Sequence, residues 1–201
     1  MSPVEMVVLV DEEGREVGLA PKATVHTSST PLHRAFSCYV FDADDRLLLT
    51  RRAADKRTFP GLWTNSVCGH PGPGETDLDA ISRRAGAELR LQVHDVAPVL
   101  PRFRYRAEHQ GVVENEICPV YLARAVEPAA VVPDPTEVDD LRWVTWDELL
   151  DDMRSRPDEF SPWSKSQTRL LLADGQPSRY LAGSDASPYP AAPAWETTTV
   201  D

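Results

Sequence analysis

The chain has 201 residues and 22.3 kDa, of which 41% are hydrophobic and 26% charged, so it can bury a core of its own and is neither fibrous nor wholly disordered. Its formal net charge is −11, from 21 Lys+Arg against 32 Asp+Glu. That balance excludes nucleic acid and anionic membrane surfaces as partners, since both require a basic face that displaces counterions.

The charge is unevenly placed: residues 1–133 carry net −3 and residues 134–201 net −8. Cys38, Cys68 and Cys118 are odd in number and lack a short metal-binding spacing, which points to a reducing compartment and a free thiol. Met6–Val10 is the one apolar run near the start, without a basic flank, and no stretch approaches the roughly 18 apolar residues of a membrane span. A soluble cytoplasmic protein is expected, as a monomer or weak homodimer.

In chain order, Glu5–Val10 reads as a strand closed by a turn at Asp11–Gly14. Phe36–Phe41 and Leu47–Arg51 are strand-length apolar runs joined by the polar loop Asp42–Asp45. Leu62–Cys68 is extended, and Gly69–Gly74, five Gly and Pro in six positions, must be a loop. Behind it Leu78, Ile81, Ala85 and Leu89 mark the buried face of a helix over Asp77–Leu89, capped by Thr76 or Asp77. A helix opening on such a loop offers its N-terminal amides to an anion. Val93–Tyr105 and Val112–Ala123 read as two long strands about a turn at Glu108–Gly111, and Leu141–Val144 as another. Thr145–Glu148 is a capping box opening a helix to about Met153, and Trp163–Ala173 is the last helix. From Ala182 the chain is small residues and prolines, which predicts a disordered tail over 182–201 after a single domain over 1–181. The fold class is α+β, with mixed or antiparallel sheets flanked by helices.

Three constellations carry chemistry. Glu114 and Glu116 share one strand face, and like charges side by side in apolar surroundings call for a cation. With His26, His33 and His70 they make a five-ligand N/O set suited to Mn²⁺, with zinc at expanded coordination as the alternative. Cys68 stands between that candidate ligand set and the loop that opens the helix, whereas Cys38 and Cys118 sit inside apolar strands as small buried residues. Residues 46–57 carry net +4, Arg83 and Arg84 lie on the helix, and Arg102, Arg104 and Arg106 alternate along a strand. Such groups in an acidic protein suit a small polyanion such as a diphosphate.

Taken together, Leu32–Phe36, Thr50–Arg52, Phe59–Pro71, Phe103–Arg106, Val113–Val120 and Phe160–Trp163 resemble the type 1 isopentenyl-diphosphate Δ-isomerases of the Nudix fold, over about residues 4–175. The Nudix box falls in register on Gly69, Glu75, Arg83 and Glu88, but Arg84 and Ala87 stand where the hydrolases carry metal-binding glutamates. The fold is thus expected without hydrolysis. The resemblance implies isomerisation of isopentenyl diphosphate to dimethylallyl diphosphate, with Cys68 and Glu116 flanking the double bond as the proton-transfer pair. It implies Tyr105 helping to deliver the proton and Trp163 facing a carbocation. Lys22, Arg52, Lys56 and Arg84 would hold the diphosphate, with Mg²⁺ bridging it to Glu88. His26, His33, His70, Glu114 and Glu116 would bind Mn²⁺, or Zn²⁺ or Mg²⁺. A Nudix pyrophosphohydrolase, or a non-catalytic module binding metal or a prenyl diphosphate, are the other readings. Two departures bear on stability: Gly86 inside the helix and Arg90 in place of glycine at its end.

Overall fold

The structure, a computed structural model, describes residues 4–183 and the backbone of 196–199. Strands β1 (Met6–Val10) and β2 (Glu16–Pro21) form a hairpin whose turn is tied by the Asp11 carboxylate, which accepts from the backbone of Glu13 and Arg15. A single turn, α1 (Lys22–Val25), and a two-residue strand, β3 (His33–Arg34), follow. Both, like β2, are too short or too exposed to show a hydrophobic period, and the sequence does not signal them.

β4 (Phe36–Phe41) is buried at every position. Phe36, Cys38 and Val40 face an apolar layer with Ile81, Ala85 and Leu89 of α2 (Asp77–Leu89), while Tyr39 and Phe41 face a second layer with Phe103, Tyr105 and Leu171. A strand buried on both faces reads as a continuous apolar run because neither face meets water. β5 (Leu47–Arg52) lies antiparallel beside it, and the expected extended segment splits into β6 (Trp63–Thr64) and β7 (Val67–Gly69).

The two long strands expected over 93–123 are four: β8 (Val93–Leu100), β9 (Phe103–His109), β10 (Val112–Ile117) and β11 (Val120–Ala125). The breaks fall at Pro101 and Pro119, where the missing N–H cannot join a ladder and the chain passes from one sheet to the other. β12 (Val138–Val144), α3 (Trp146–Ser155), α4 (Pro162–Ala173) and α5 (Ser178–Leu181) complete the body. The capping box predicted at Thr145 and Glu148 opens α3. Glu196–Thr199, inside the segment expected to be a tail, runs as β13 parallel to β9. Residues 184–195 and 200–201 of the expected tail lie outside the described residues.

One sheet has the order β13-β9-β10-β3-β1-β2 and the other β12-β5-β4-β11-β8, with β6 on β5 and β7 on β4. β3 runs into β4 through Ala35, and β10 into β11 through Cys118 and Pro119, as adjacent parallel pairs in both sheets. The two crossings place the first sheet's end against the second sheet's middle, and the candidate site lies at that corner.

Helix α2 carries both departures. Arg90 takes the left-handed cap at φ +50°, and Gly86 sits mid-helix with open space where a Cβ would point. Gly86→Ala is therefore expected to raise the stability to denaturant by about 1 kcal/mol, the helix-interior difference between the two residues. A urea titration with unchanged slope and a higher midpoint checks it.

Candidate active site

The parallel register of β3 and β10 sets His33 directly beside Glu116, and the antiparallel register of β9 and β10 sets Tyr105 on its other side. His26 arrives at the end of α1 and His70 just after β7. The ligating atoms of His26, His33, His70 and Glu116 all lie within 4.8 Å of one another. Glu116 Oε1 is 3.0 Å from His70 Nε2 and 3.5 Å from His33 Nε2, and the two Nε2 atoms are 3.2 Å apart. Glu114 is not one of this mutual four; its Oε2 joins the edge of the cluster 3.0 Å from His26 Nε2.

These residues fit a cation. His26 Nε2 and Glu114 Oε2 are buried and have no hydrogen-bond partner, although they point at each other. The His33 Nδ1 lies 2.9 Å from the Pro31 carbonyl, which assigns a proton to that nitrogen and turns Nε2 to the cluster, where it donates to Glu116 when protonated and offers a lone pair to a cation when not. Burial pushes the Glu116 carboxyl up, but the hydrogen bonds and charges of His33 and His70 outweigh it and hold the group well below the ordinary carboxylate range. For His33 burial acts downward and the bond to Glu116 outweighs it, whereas for His70 burial prevails and the imidazole is pushed down. The cluster therefore presents an anionic carboxylate among buried imidazoles, which is a cation's ligand set.

Beside it opens a cavity of about 640 Å³. Every residue to which the resemblance assigns a role lines it except His33, which is fully buried behind, whereas Arg83, Arg102, Arg104 and Arg106, read from the sequence as part of the basic constellation, do not. Cys68, half-buried on β7, donates to Asn65 Oδ1 at 3.0 Å, and burial pushes its thiol up against the opposing influence of Ser37 and Arg52. Tyr105 is pushed up by burial and by Glu116 and Glu114. Trp163 packs edge-on to Phe59 at 5.3 Å and against Tyr105 at 5.6 Å, with the Arg52 guanidinium 5.4 Å over its ring.

The basic groups are already partnered. Lys22 pairs with Glu5 at 2.9 Å, Lys56 contacts Glu137, and Arg84 contacts Glu88 and lies 3.4 Å from Glu137. Arg52 is spread against the carbonyls of Thr58 and Phe59. Burial, with Arg84, lowers Lys22; burial, with Arg52, brings Lys56 down to about 8. Glu5 and Glu137 escape sequence reasoning. Glu137 stands in the acidic segment after residue 133, which the charge partition sets apart from the anion site. The β5–β12 register, Arg52 opposite Val138, carries it in. Arg57 and Thr58 line the same mouth, and the net +4 of residues 46–57 is the signal that could have included the arginine.

The loop before α2 is built by the box residues. Arg83 grips both oxygens of Glu75 at 2.7 Å and reaches the His70 carbonyl at 3.2 Å, while Glu75 also accepts from the Gly72 amide. At Gly69 a Cβ would sit 3.0 Å from the Arg84 side chain and 3.2 Å from the Phe36 ring, so any larger residue would press on both. Among the described residues no helix is long and apolar enough to cross a membrane.

Comparison with known proteins agrees with this geometry. The NUDIX domain family matches residues 31–164. A Clavibacter sepedonicus protein named isopentenyl-diphosphate Delta-isomerase is 52% identical over 94% of this chain and 97% of its own, and one of the same name from Paenarthrobacter aurescens is 50% identical over 92% and 100%. A solved structure from Deinococcus radiodurans shares the fold at a TM-score of 0.63 and 20% identity, covering 84% of this chain and 98% of its own. Sequence kinship over nearly the whole chain and the shared fold lead to one conclusion: the chain belongs to the NUDIX family and, within it, to the isopentenyl-diphosphate Delta-isomerases.

Proposed function

We propose that this protein interconverts isopentenyl diphosphate and dimethylallyl diphosphate by adding a proton to the terminal alkene carbon, C4, and removing one from C2. The observation that carries this reading is that Cys68 and Glu116 line one cavity whose mouth holds Lys22, Arg52, Lys56 and Arg84. The Cys68 thiol proton first passes to the Glu116 carboxylate, which, with Tyr105 beside it, delivers it to C4. The positive charge that develops at C3 meets the Trp163 ring, and the Cys68 sulfur takes the C2 proton as its C–H pair becomes the new double bond. The mouth residues hold the diphosphate, so that binding energy from a remote group fixes a small apolar tail that could not anchor itself.

His26, His33, His70, Glu114 and Glu116 are the proposed ligands of a divalent cation, Mn²⁺ ahead of Zn²⁺ or Mg²⁺ for a five-donor N/O set. When bound, it supplies positive charge that orients the Glu116 carboxyl and sets its affinity for a proton. Glu88, on the cavity wall, would hold a Mg²⁺ accompanying the substrate, which would offset the negative charge of the diphosphate. The proposed catalytic unit is residues 1–181, which contain every residue named. Incubating the protein with isopentenyl diphosphate tests the reading by NMR. Methyl resonances of dimethylallyl diphosphate without released phosphate are expected; phosphate release would mean a hydrolase, and unchanged spectra a binder.

Lys56 gives the reaction a pH limit. Its ammonium, ordinarily near 10.5, titrates at about 8 because it is buried beside Arg52. The folded protein thus holds fewer protons than the unfolded chain between those values, so this group opposes folding below about 8 and the stability it costs is regained as pH rises through the window. Diphosphate binding changes the other way, because only the charged form attracts the anion. The expected result is a kcat/KM that falls above about pH 8, with Lys56→Arg moving that limb to higher pH. A limb that stays in place in the arginine variant would assign it to another group.

A further inference from the structure

Behind Cys68 a chain of buried polar side chains joins β4 to α4. The Tyr39 hydroxyl donates to Gln167 Oε1 at 3.0 Å, and Gln167 Nε2 donates to Ser37 Oγ at 2.9 Å. Ser37 Oγ lies 3.6 Å from the Cys68 sulfur and 3.5 Å from the Cys118 sulfur. Ser37, Tyr39 and Gln167 are almost completely buried, so water does not compete for these bonds.

The direction of each bond follows from counting donors. Asn65 Nδ2 donates to the carbonyls of Cys38 and Val67, which turns its Oδ1 toward Cys68. That oxygen can only accept, so the single thiol hydrogen of Cys68 is spent on it. Tyr39 fixes the other amide: with Oε1 taken, Gln167 turns its NH₂ to Ser37 and fills one lone pair of that oxygen. The Ser37 hydrogen is left for the Cys68 sulfur, and its second lone pair for the Cys118 thiol. This assignment gives a donor to the Cys68 sulfur, whose own hydrogen is spent on Asn65, while the Cys118 thiol has Glu116 as a second partner.

We propose that Ser37, held by Gln167 and Tyr39, is a positioning residue for Cys68. The sulfur stands between a fixed acceptor, Asn65, and a fixed donor, Ser37. In one half of the turnover the sulfur lacks a proton and the Ser37 bond holds it. As it takes the C2 proton, the new S–H points to Asn65 Oδ1, and the proton later returns through the cavity to the Glu116 side, which gave one up. The sulfur therefore keeps one location in both forms. The inference rests on the reading of Cys68 as one of the proton-transfer pair.

Steady-state kinetics of Ser37→Ala, Ser37→Thr and Cys68→Ala, with calorimetric binding of inorganic pyrophosphate, test it. A hydrogen bond to a group that carries charge during turnover is worth about ten- to a hundredfold in rate. Ser37→Ala is expected to lower kcat by about that factor, with KM and pyrophosphate affinity within about twofold of wild type, and Ser37→Thr to recover most of the loss because the hydroxyl returns. A loss in the alanine variant of less than about fivefold, or equal losses in alanine and threonine, would overturn the proposal. Should Ser37→Ala not fold, Tyr39→Phe removes only the far hydroxyl. A several-fold fall in kcat at constant KM is then expected, and an unchanged kcat overturns the inference. Full activity in Cys68→Ala would instead overturn the reading of Cys68 itself, and an active wild type with inactive Cys68→Ala but unimpaired Ser37→Ala would overturn the role of Ser37 alone.

Discussion

Cys68→Ala and Glu116→Gln are each expected to lower the isomerisation rate by about a thousandfold or more, with inorganic pyrophosphate binding within about twofold of wild type. The magnitude follows from the chemistry: an unactivated alkene needs an acid and a base together, and a positioned proton-transfer group contributes roughly a hundred- to ten-thousandfold on its own. Binding is expected to be spared because the diphosphate is assigned to the mouth residues and neither substituted side chain bonds to them: Cys68 bonds to Asn65 and Ser37, and Glu116 to His33 and His70. Glu116→Gln keeps shape while removing the acid, so the split between rate and binding is sharper there than in a truncation. Initial rates by proton NMR together with pyrophosphate calorimetry check both halves. Either variant turning over near the wild-type rate would remove that residue from the proton-transfer pair.

Stripping the protein with a strong chelator is expected to abolish activity and to lower the thermal midpoint by about 5–10 °C, with added Mn²⁺ restoring both. An ion at a hundred times its dissociation constant stabilises the folded state by about 2.7 kcal/mol. For a chain of this length, each kcal/mol moves the midpoint by about 2–4 °C. The structural reason is the cost of leaving Glu114 and Glu116 buried, with Glu114 Oε2 and His26 Nε2 lacking any hydrogen-bond partner. Calorimetric scans before and after chelation, with metal content measured on the same samples, test it. A midpoint that does not move, in a protein shown to have lost its metal, would exclude a cation at this cluster. Substituting His70 by asparagine should reproduce the stripped state in the presence of excess metal.

Much of the architecture was legible along the chain. The helix over Asp77–Leu89 shows its period, its cap at Thr76 or Asp77 and its strained end at Arg90 because all three are local properties; Ile81, Ala85 and Leu89 are buried and Thr76 is the cap, but Leu78, expected on the same buried face, stands exposed in the first turn. The capping box of Thr145 and Glu148 is legible for the same reason. The apolar runs over 93–123 predict two strands where the structure has four, because Pro101 and Pro119 cannot donate to a ladder and interrupt each run, a signal that is itself local. β2, β3 and β13 had no such signal, since a short or exposed strand is defined by the neighbour it pairs with.

The site divides in the same way. By itself the sequence determined which residue types are present and in which motifs: the histidines, the two glutamates two apart in a strand, the cysteine before the loop and the arginines around residue 50. It also determined that the box glutamates needed for hydrolysis are replaced at Arg84 and Ala87. Only the tertiary structure decided that Glu116 rather than Glu114 meets three imidazoles, because the facing register of β3 and β10 selects one of two equivalent carboxylates. Only it brought Glu137 out of the acidic segment to Lys56 and Arg84, and Gln167 across 130 residues to Ser37. Local periodicity fixes which face of an element is buried, but the partner on that face is set by strand register and layer packing, which no single stretch of chain contains.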